Sequence, residues 1–64
     1  MSDAHPLLRY FAWTHLPAHL AAVSKPYGEL AERLADELPT GAEKTVALRK
    51  LLESKDAAVR AALD

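Results

Sequence analysis

The sequence predicts an all-α protein: a short N-terminal helix followed by an antiparallel two-helix hairpin. Three features predict it. Apolar positions recur at spacings of three and four along Leu16, Leu20, Val23, Tyr27, Leu30 and Leu34. The same rhythm returns along Thr45, Leu48, Leu52, Lys55, Val59 and Ala62. Each is the pattern of one buried seam on a helix. Between them, Leu38-Pro39-Thr40-Gly41 reads as a turn.

The elements follow in order. Met1 to Ala4 are expected to fray. His5-Pro6 opens a helix over residues 6–13, since proline suits a first helical turn. Leu7, Leu8 and Phe11 fit one face of it, and Phe11 is expected to point inward. Thr14, or the residues just after it, is expected to cap the first long helix, residues 17–38, with Pro17 in its first turn. Pro26 falls inside that helix, where it removes one hydrogen bond and crowds the carbonyl of Ala22. The apolar stripe nevertheless keeps phase from Val23 through Tyr27 to Leu30, which favours a kinked but continuous helix. The alternative is a restart with Ser24 as N-cap, Pro26 in the first turn and Glu29 behind. The second long helix, residues 41–63, opens with Thr40-Gly41-Ala42-Glu43, which has the capping-box form. It is then built almost wholly from Ala, Leu, Lys, Glu and Arg, strong helix formers.

Length and composition bound the function. Sixty-four residues is one domain near the lower limit of independent folding, and no cysteine is present to staple it. A hairpin with one seam per helix leaves its core incomplete, so self-association is expected, as a dimer or a larger assembly. Eight basic and nine acidic residues give a net charge of −1, without the basic face that a nucleic-acid polymer would need. No apolar run is long enough to span a membrane, and no signal segment opens the chain, so a cytoplasmic location is the default. Catalysis finds no support: there is no Cys, no Ser-His-acid arrangement and no Gly-rich phosphate loop. No cofactor is expected.

Lys55 is the most informative candidate site residue, because an ammonium inside an apolar seam requires a partner. An acid, a backbone carbonyl or an anionic ligand would serve. If the turn centres near Pro39-Thr40, Lys55 faces Val23, Ser24 and Tyr27, and with Ser24 and Tyr27 it could hold an anion. The plainer reading has Lys55 reaching a hairpin edge, or pairing across an oligomer interface. Tyr10 and Trp13 cannot share the face of Phe11, so they are expected to be partly exposed, free to stack on a base or to pack on another copy. His15 and His19 have a metal-compatible spacing, but two ligands do not make a site, and no metal is expected. Arg49, Glu53, Asp56 and Arg60 share a polar face as solvated ion pairs; the two arginines could instead grip phosphate where that face meets another subunit.

The runs His5-Pro6-Leu7-Leu8-Arg9-Tyr10-Phe11-Ala12-Trp13, Leu16-Pro17 and Val23-Ser24-Lys25-Pro26-Tyr27-Gly28, and above all residues Glu43 to Ala61, resemble small proteins encoded by phages of actinobacteria. The C-terminal pattern, an alanine-rich helix ending in a hydrophobic-Arg-Ala step, is similar to the helical-hairpin domain of phage anti-defence sponges. Those are the anti-CBASS and anti-Thoeris proteins, which sequester cyclic nucleotide immune signals. The resemblance covers most of residues 10–62. It implies a non-catalytic homo-oligomer, often hexameric, in the host cell cytoplasm, with pockets between subunits. There an aromatic ring stacks on a purine while Lys and Arg take the phosphates. Tyr10 or Trp13 would match the stacking aromatic, Lys25 a basic residue further along, and Arg60 the late arginine. Pro26 beside Lys25 and a shortened second loop depart from the pattern, and the ligand stays open among cyclic di- or oligonucleotides and a cyclic ADP-ribose type.

Two functions therefore compete. One is sequestration of a cyclic nucleotide through Tyr10, Trp13, Lys25, Tyr27, Lys55 and Arg60. The other is a structural or regulatory interaction protein with no nucleotide ligand, in which the same side chains join subunits.

Overall fold

The computed structural model describes residues 5–63, so the expected fraying of Met1 to Ala4 lies outside the described residues. Three helical elements follow one another: a 3-10 helix η1 (Pro6–Phe11), then α1 (Ala18–Glu37) and α2 (Ala42–Leu63). No strand occurs among the described residues. The long helices pack as a hairpin, and η1 lies against both of them.

The first element is tighter than an α-helix. Six residues give too few i→i+4 bonds to offset helix nucleation, and 3-10 turns are the usual short solution. Pro6 sets its first turn, and His5 caps it: His5 Nδ1 accepts from the Leu7 amide at 3.1 Å, and the His5 carbonyl accepts from the Leu8 amide at 2.9 Å. The other ring nitrogen, Nε2, lies 3.2 Å from Thr45 Oγ1 and so ties η1 to α2. The helix expected over residues 6–13 therefore stops at Phe11.

The start of α1 also differs from expectation. Thr14 lies in a turn closed by the Leu16 amide donating to the Trp13 carbonyl at 3.1 Å, and Pro17 occupies the cap position with no side-chain hydrogen bond. The Pro17 carbonyl accepts from Leu20 and Ala21 at 3.0 and 2.8 Å, which starts the helix without a hydroxyl cap. Through Pro26 the helix runs unbroken, so Ser24 is an interior residue and not a restart. At the other end the Leu38 amide donates to the Leu34 carbonyl at 3.0 Å. The second long helix begins at Ala42, which puts Gly41, not Thr40, just ahead of its first residue.

The largest correction concerns which face of α1 is buried. Leu20, Ser24, Gly28 and Ala31 form the buried line, whereas Leu30, a member of the expected stripe, is 41% exposed. Val23, Tyr27 and Leu34 are half-buried. The physical reason is that α1 has two partners on different flanks. Its buried centre lies between α2 and η1, and on the η1 flank the approach is close enough to select small residues. A methyl group placed on Gly28 would sit 3.0 Å from the Phe11 carbonyl oxygen and 3.0 Å from Trp13 Cδ1. On α2 the expected seam holds better: Leu48 is fully buried, with Thr45, Leu52, Lys55 and Val59 half-buried around it.

Phe11, Ala31 and Leu48 make the core, with Leu7, Leu8, Leu34 and Leu52 packed at its border. The molecule measures 36 × 21 × 15 Å with a radius of gyration of 12.0 Å, above the value of about 11 Å for a compact chain of this length. At one helix layer thick along its short axis, few side chains can be fully enclosed.

Candidate functional site

Three cationic neighbourhoods organise the candidate residues, and all of them depend on η1 or the turn that follows it. In the first, Lys55 Nζ donates to the Tyr10 carbonyl oxygen at 2.8 Å. Asp56 Oδ1 stands further off, at 3.9 Å, and the Lys55 side chain is only 12% exposed. Of the three partners open to a lysine in this seam, the structure supplies the backbone carbonyl. That carbonyl lies near the end of a short helix, where C=O groups have no intrahelical donor and carry a partial negative charge. The contact therefore satisfies both the ammonium and an orphan acceptor, and it pins η1 to the distal half of α2.

The anion pocket expected of Lys55, Ser24 and Tyr27 is not assembled. Ser24 is fully buried with no hydrogen-bond partner for its hydroxyl, Tyr27 Oη lies 3.3 Å from Ser54 Oγ, and Lys55 turns to η1. Tyr27 reaches Ser54, the sequence neighbour of Lys55, but no hydrogen bond joins Lys55, Ser24 and Tyr27.

In the second neighbourhood, Arg9 and Tyr10 cover each other. The guanidinium carbon is 5.0 Å from the ring centroid, and Nη2 donates to Tyr10 Oη at 3.0 Å. Tyr10 is 48% exposed, as expected for a ring that cannot share the face of Phe11.

The third neighbourhood is the most site-like. Lys25 Nζ sits 5.3 Å from the centroid of Trp13. The indole is half-buried, with its Cδ1 and Nε1 edge laid on Gly28. Beside it opens a groove of about 450 Å³ lined by Leu8, Phe11, Ala12, Trp13, Thr14, Gly28, Glu29 and Glu32. Its floor is apolar and backbone, one wall is aromatic, and its far rim carries two carboxylates one helical turn apart. Sequence periodicity gave no sign of this groove, because Gly28, which lines it and lets Phe11 and Trp13 approach α1 closely, contributes no side chain. The signal available was Gly28 itself, a helix-disfavouring residue held in mid-helix.

The remaining candidate, Arg60, is exposed on α2 apart from these clusters. Among the described residues no group of three or more His, Asp or Glu side chains could hold a metal. Among the described residues no helix is long and apolar enough to cross a membrane. No protein-family model, curated protein or solved structure matches this chain.

Proposed function

We propose that this chain is a non-catalytic binder that self-associates and sequesters a cyclic nucleotide, with Trp13 as the stacking surface and Lys25 as the phosphate ligand. The Trp13–Lys25 pair at the mouth of a groove carries the reading. An indole face is a sequence-tolerant platform for a purine, and base–aromatic stacking contributes about 1–3 kcal/mol per base. Lys25 rests on that ring in the free protein. An exposed cation–π contact is worth roughly 0.5–1 kcal/mol, so an incoming phosphate can draw the ammonium away at small cost. The chain thus keeps a cation beside its stacking surface without burying it.

Sparse burial supports the self-association in this reading. Among the described residues the buried apolar side chains are Phe11, Leu20, Ala31 and Leu48, while Leu30 and Val46 remain 41% and 38% exposed. Leu30 lies 200° around α1 from Gly28, on the flank turned away from η1, where another copy can cover it. A cyclic dinucleotide carries two purines and two phosphates, and a symmetric pair of subunits offers two Trp13 rings and two Lys25 ammoniums.

Lys55 and Tyr27 take structural roles in this reading, since each is already engaged within the chain. An interaction protein without a nucleotide remains the second reading, favoured by Glu29 and Glu32 on the groove rim, which repel phosphate from that side. Calorimetric titration with cyclic di- and trinucleotides and cyclic ADP-ribose-type ligands separates the two. Saturable binding with Kd below about 10 µM, lost in Trp13→Ala and Lys25→Ala while the assembly mass is kept, is the expected result. Absence of binding across that panel removes the nucleotide reading.

A further inference from the structure

The charges of this chain do not balance within it, and the imbalance is spatially sorted. Of the four arginines, Arg9 is engaged by Tyr10 and Arg33 pairs with Glu37 at 3.2 Å. Arg49 and Arg60 have no partner among the described residues, and both are exposed on α2. Eleven residues apart, they stand three turns along one face. Acids divide in the same way. Glu37, Glu53 and Asp56 have lysine or arginine neighbours at 3.2, 3.6 and 3.9 Å. Glu29 and Glu32, on the rim of the Trp13 groove, have none among the described residues, nor has Glu43 in the first turn of α2.

We propose that the Trp13–Glu29–Glu32 groove receives an arginine from the α2 polar face of a second copy of this chain. The chemistry selects a guanidinium. It offers a fork of N–H donors, which two carboxylates one turn apart can accept, and it is weakly hydrated, so entering a half-enclosed groove costs it less than an ammonium. The groove sits on the outer flank of α1, whereas Arg49 and Arg60 sit on α2. The two complementary patches are therefore different surfaces of one subunit. A two-fold pair closes such a contact when the groove and arginine of each copy meet the arginine and groove of the other, and a ring closes it when they meet different neighbours. The proposal rests on the self-association half of the proposed function and not on its nucleotide half.

Charge reversal in both patches tests it, with mass read by sedimentation velocity at about 100 µM protein. Glu29→Lys/Glu32→Lys and, separately, Arg49→Glu/Arg60→Glu should each weaken association at least tenfold. An equimolar mixture of the two should recover association, because the arginines of the first variant again meet the groove carboxylates of the second and the two reversed patches are also opposite in charge. Single Arg49→Glu and Arg60→Glu variants identify which arginine enters. All of these positions are exposed, so helical circular dichroism should not change; Glu29→Gln/Glu32→Gln, which keeps shape and removes charge, should also weaken association and guards against a folding artefact. A wild-type assembly whose mass survives both reversals overturns the proposal while leaving self-association intact. A wild-type monomer at that concentration overturns both. Loss of nucleotide binding alone touches only the ligand half of the proposed function.

Discussion

Lys55 and Lys25 each lie beside an aromatic residue of the N-terminal segment, yet they do opposite things. Lys55 sits in the hairpin seam, 12% exposed, with its ammonium 2.8 Å from the Tyr10 carbonyl. Lys25 sits on an exposed flank with its ammonium over the Trp13 ring. A carbonyl at a helix end is a fixed, directional acceptor, so the first contact holds two elements together. A ring face is a diffuse attractor, and the second contact can be exchanged for a ligand. The lysine that looks anomalous in sequence is thus the structural one, and the lysine that looks ordinary is the one left available. Every variant below either breaks that contrast or makes it quantitative.

The largest effect is expected where both neighbourhoods are lost together. Among the described residues Leu48 is the only fully buried large side chain besides Ser24, and it packs α2 against Phe11 and Ala31. Leu48→Ala should cost about 2–5 kcal/mol, enough to unfold a domain this small at room temperature by far-ultraviolet circular dichroism. A folded Leu48→Ala chain with unchanged melting would mean that the core lies elsewhere.

Lys55→Met comes next. It keeps the apolar stem but removes the ammonium, leaving the Tyr10 carbonyl without its donor. A hydrogen bond to a charged group contributes about 1.5–3 kcal/mol, so the melting temperature should fall by about 10 °C. Nucleotide affinity of the folded fraction should change less than twofold. The reverse outcome, normal melting with ligand binding abolished, would exchange the roles given to the two lysines.

Lys25→Ala should do the opposite. Stability should drop by less than about 1 kcal/mol, the size of an exposed cation–π contact, while affinity for a cyclic nucleotide falls at least tenfold. Trp13 fluorescence should change in the free protein as the ammonium leaves its ring. Equal losses from Lys25→Ala and Lys55→Met in either assay would erase the distinction.

How much of this could be read in the sequence depends on what kind of atom carried the information. Side-chain pattern placed both long helices within a residue of their ends, and the phase of the stripe across Pro26 correctly indicated a continuous helix. It also identified Phe11 as the inward-facing aromatic. What it missed is carried by backbone and by absence. The partner of Lys55 is a main-chain carbonyl, which every residue possesses and no pattern marks. The close approach of Phe11 and Trp13 to α1 depends on Gly28 having no side chain, and the buried line Leu20, Ser24, Gly28 and Ala31 is made largely of residues that a search for hydrophobic periodicity passes over. Leu30 was drawn into the expected seam for the complementary reason: periodicity describes one partner per helix, and α1 has two.

Ser24 tests the contrast at its finest. It precedes Lys25 in sequence and shares the seam with Lys55, but its hydroxyl is enclosed with no partner. Leaving a buried hydroxyl unpaired costs on the order of 1–3 kcal/mol, and a serine in mid-helix adds a small propensity penalty relative to alanine. Ser24→Ala removes both at nearly constant volume, so the melting temperature should rise by a few degrees, the one stabilising change among these variants. Association and nucleotide affinity should be unaffected, because neither Lys25 nor Lys55 touches the hydroxyl. A fall in melting temperature would instead mean that Ser24 makes a hydrogen bond in solution. The natural acceptor would be the carbonyl of Leu20, one turn back. In that case this part of the seam would be held by a polar contact of the same kind as the one Lys55 makes to Tyr10.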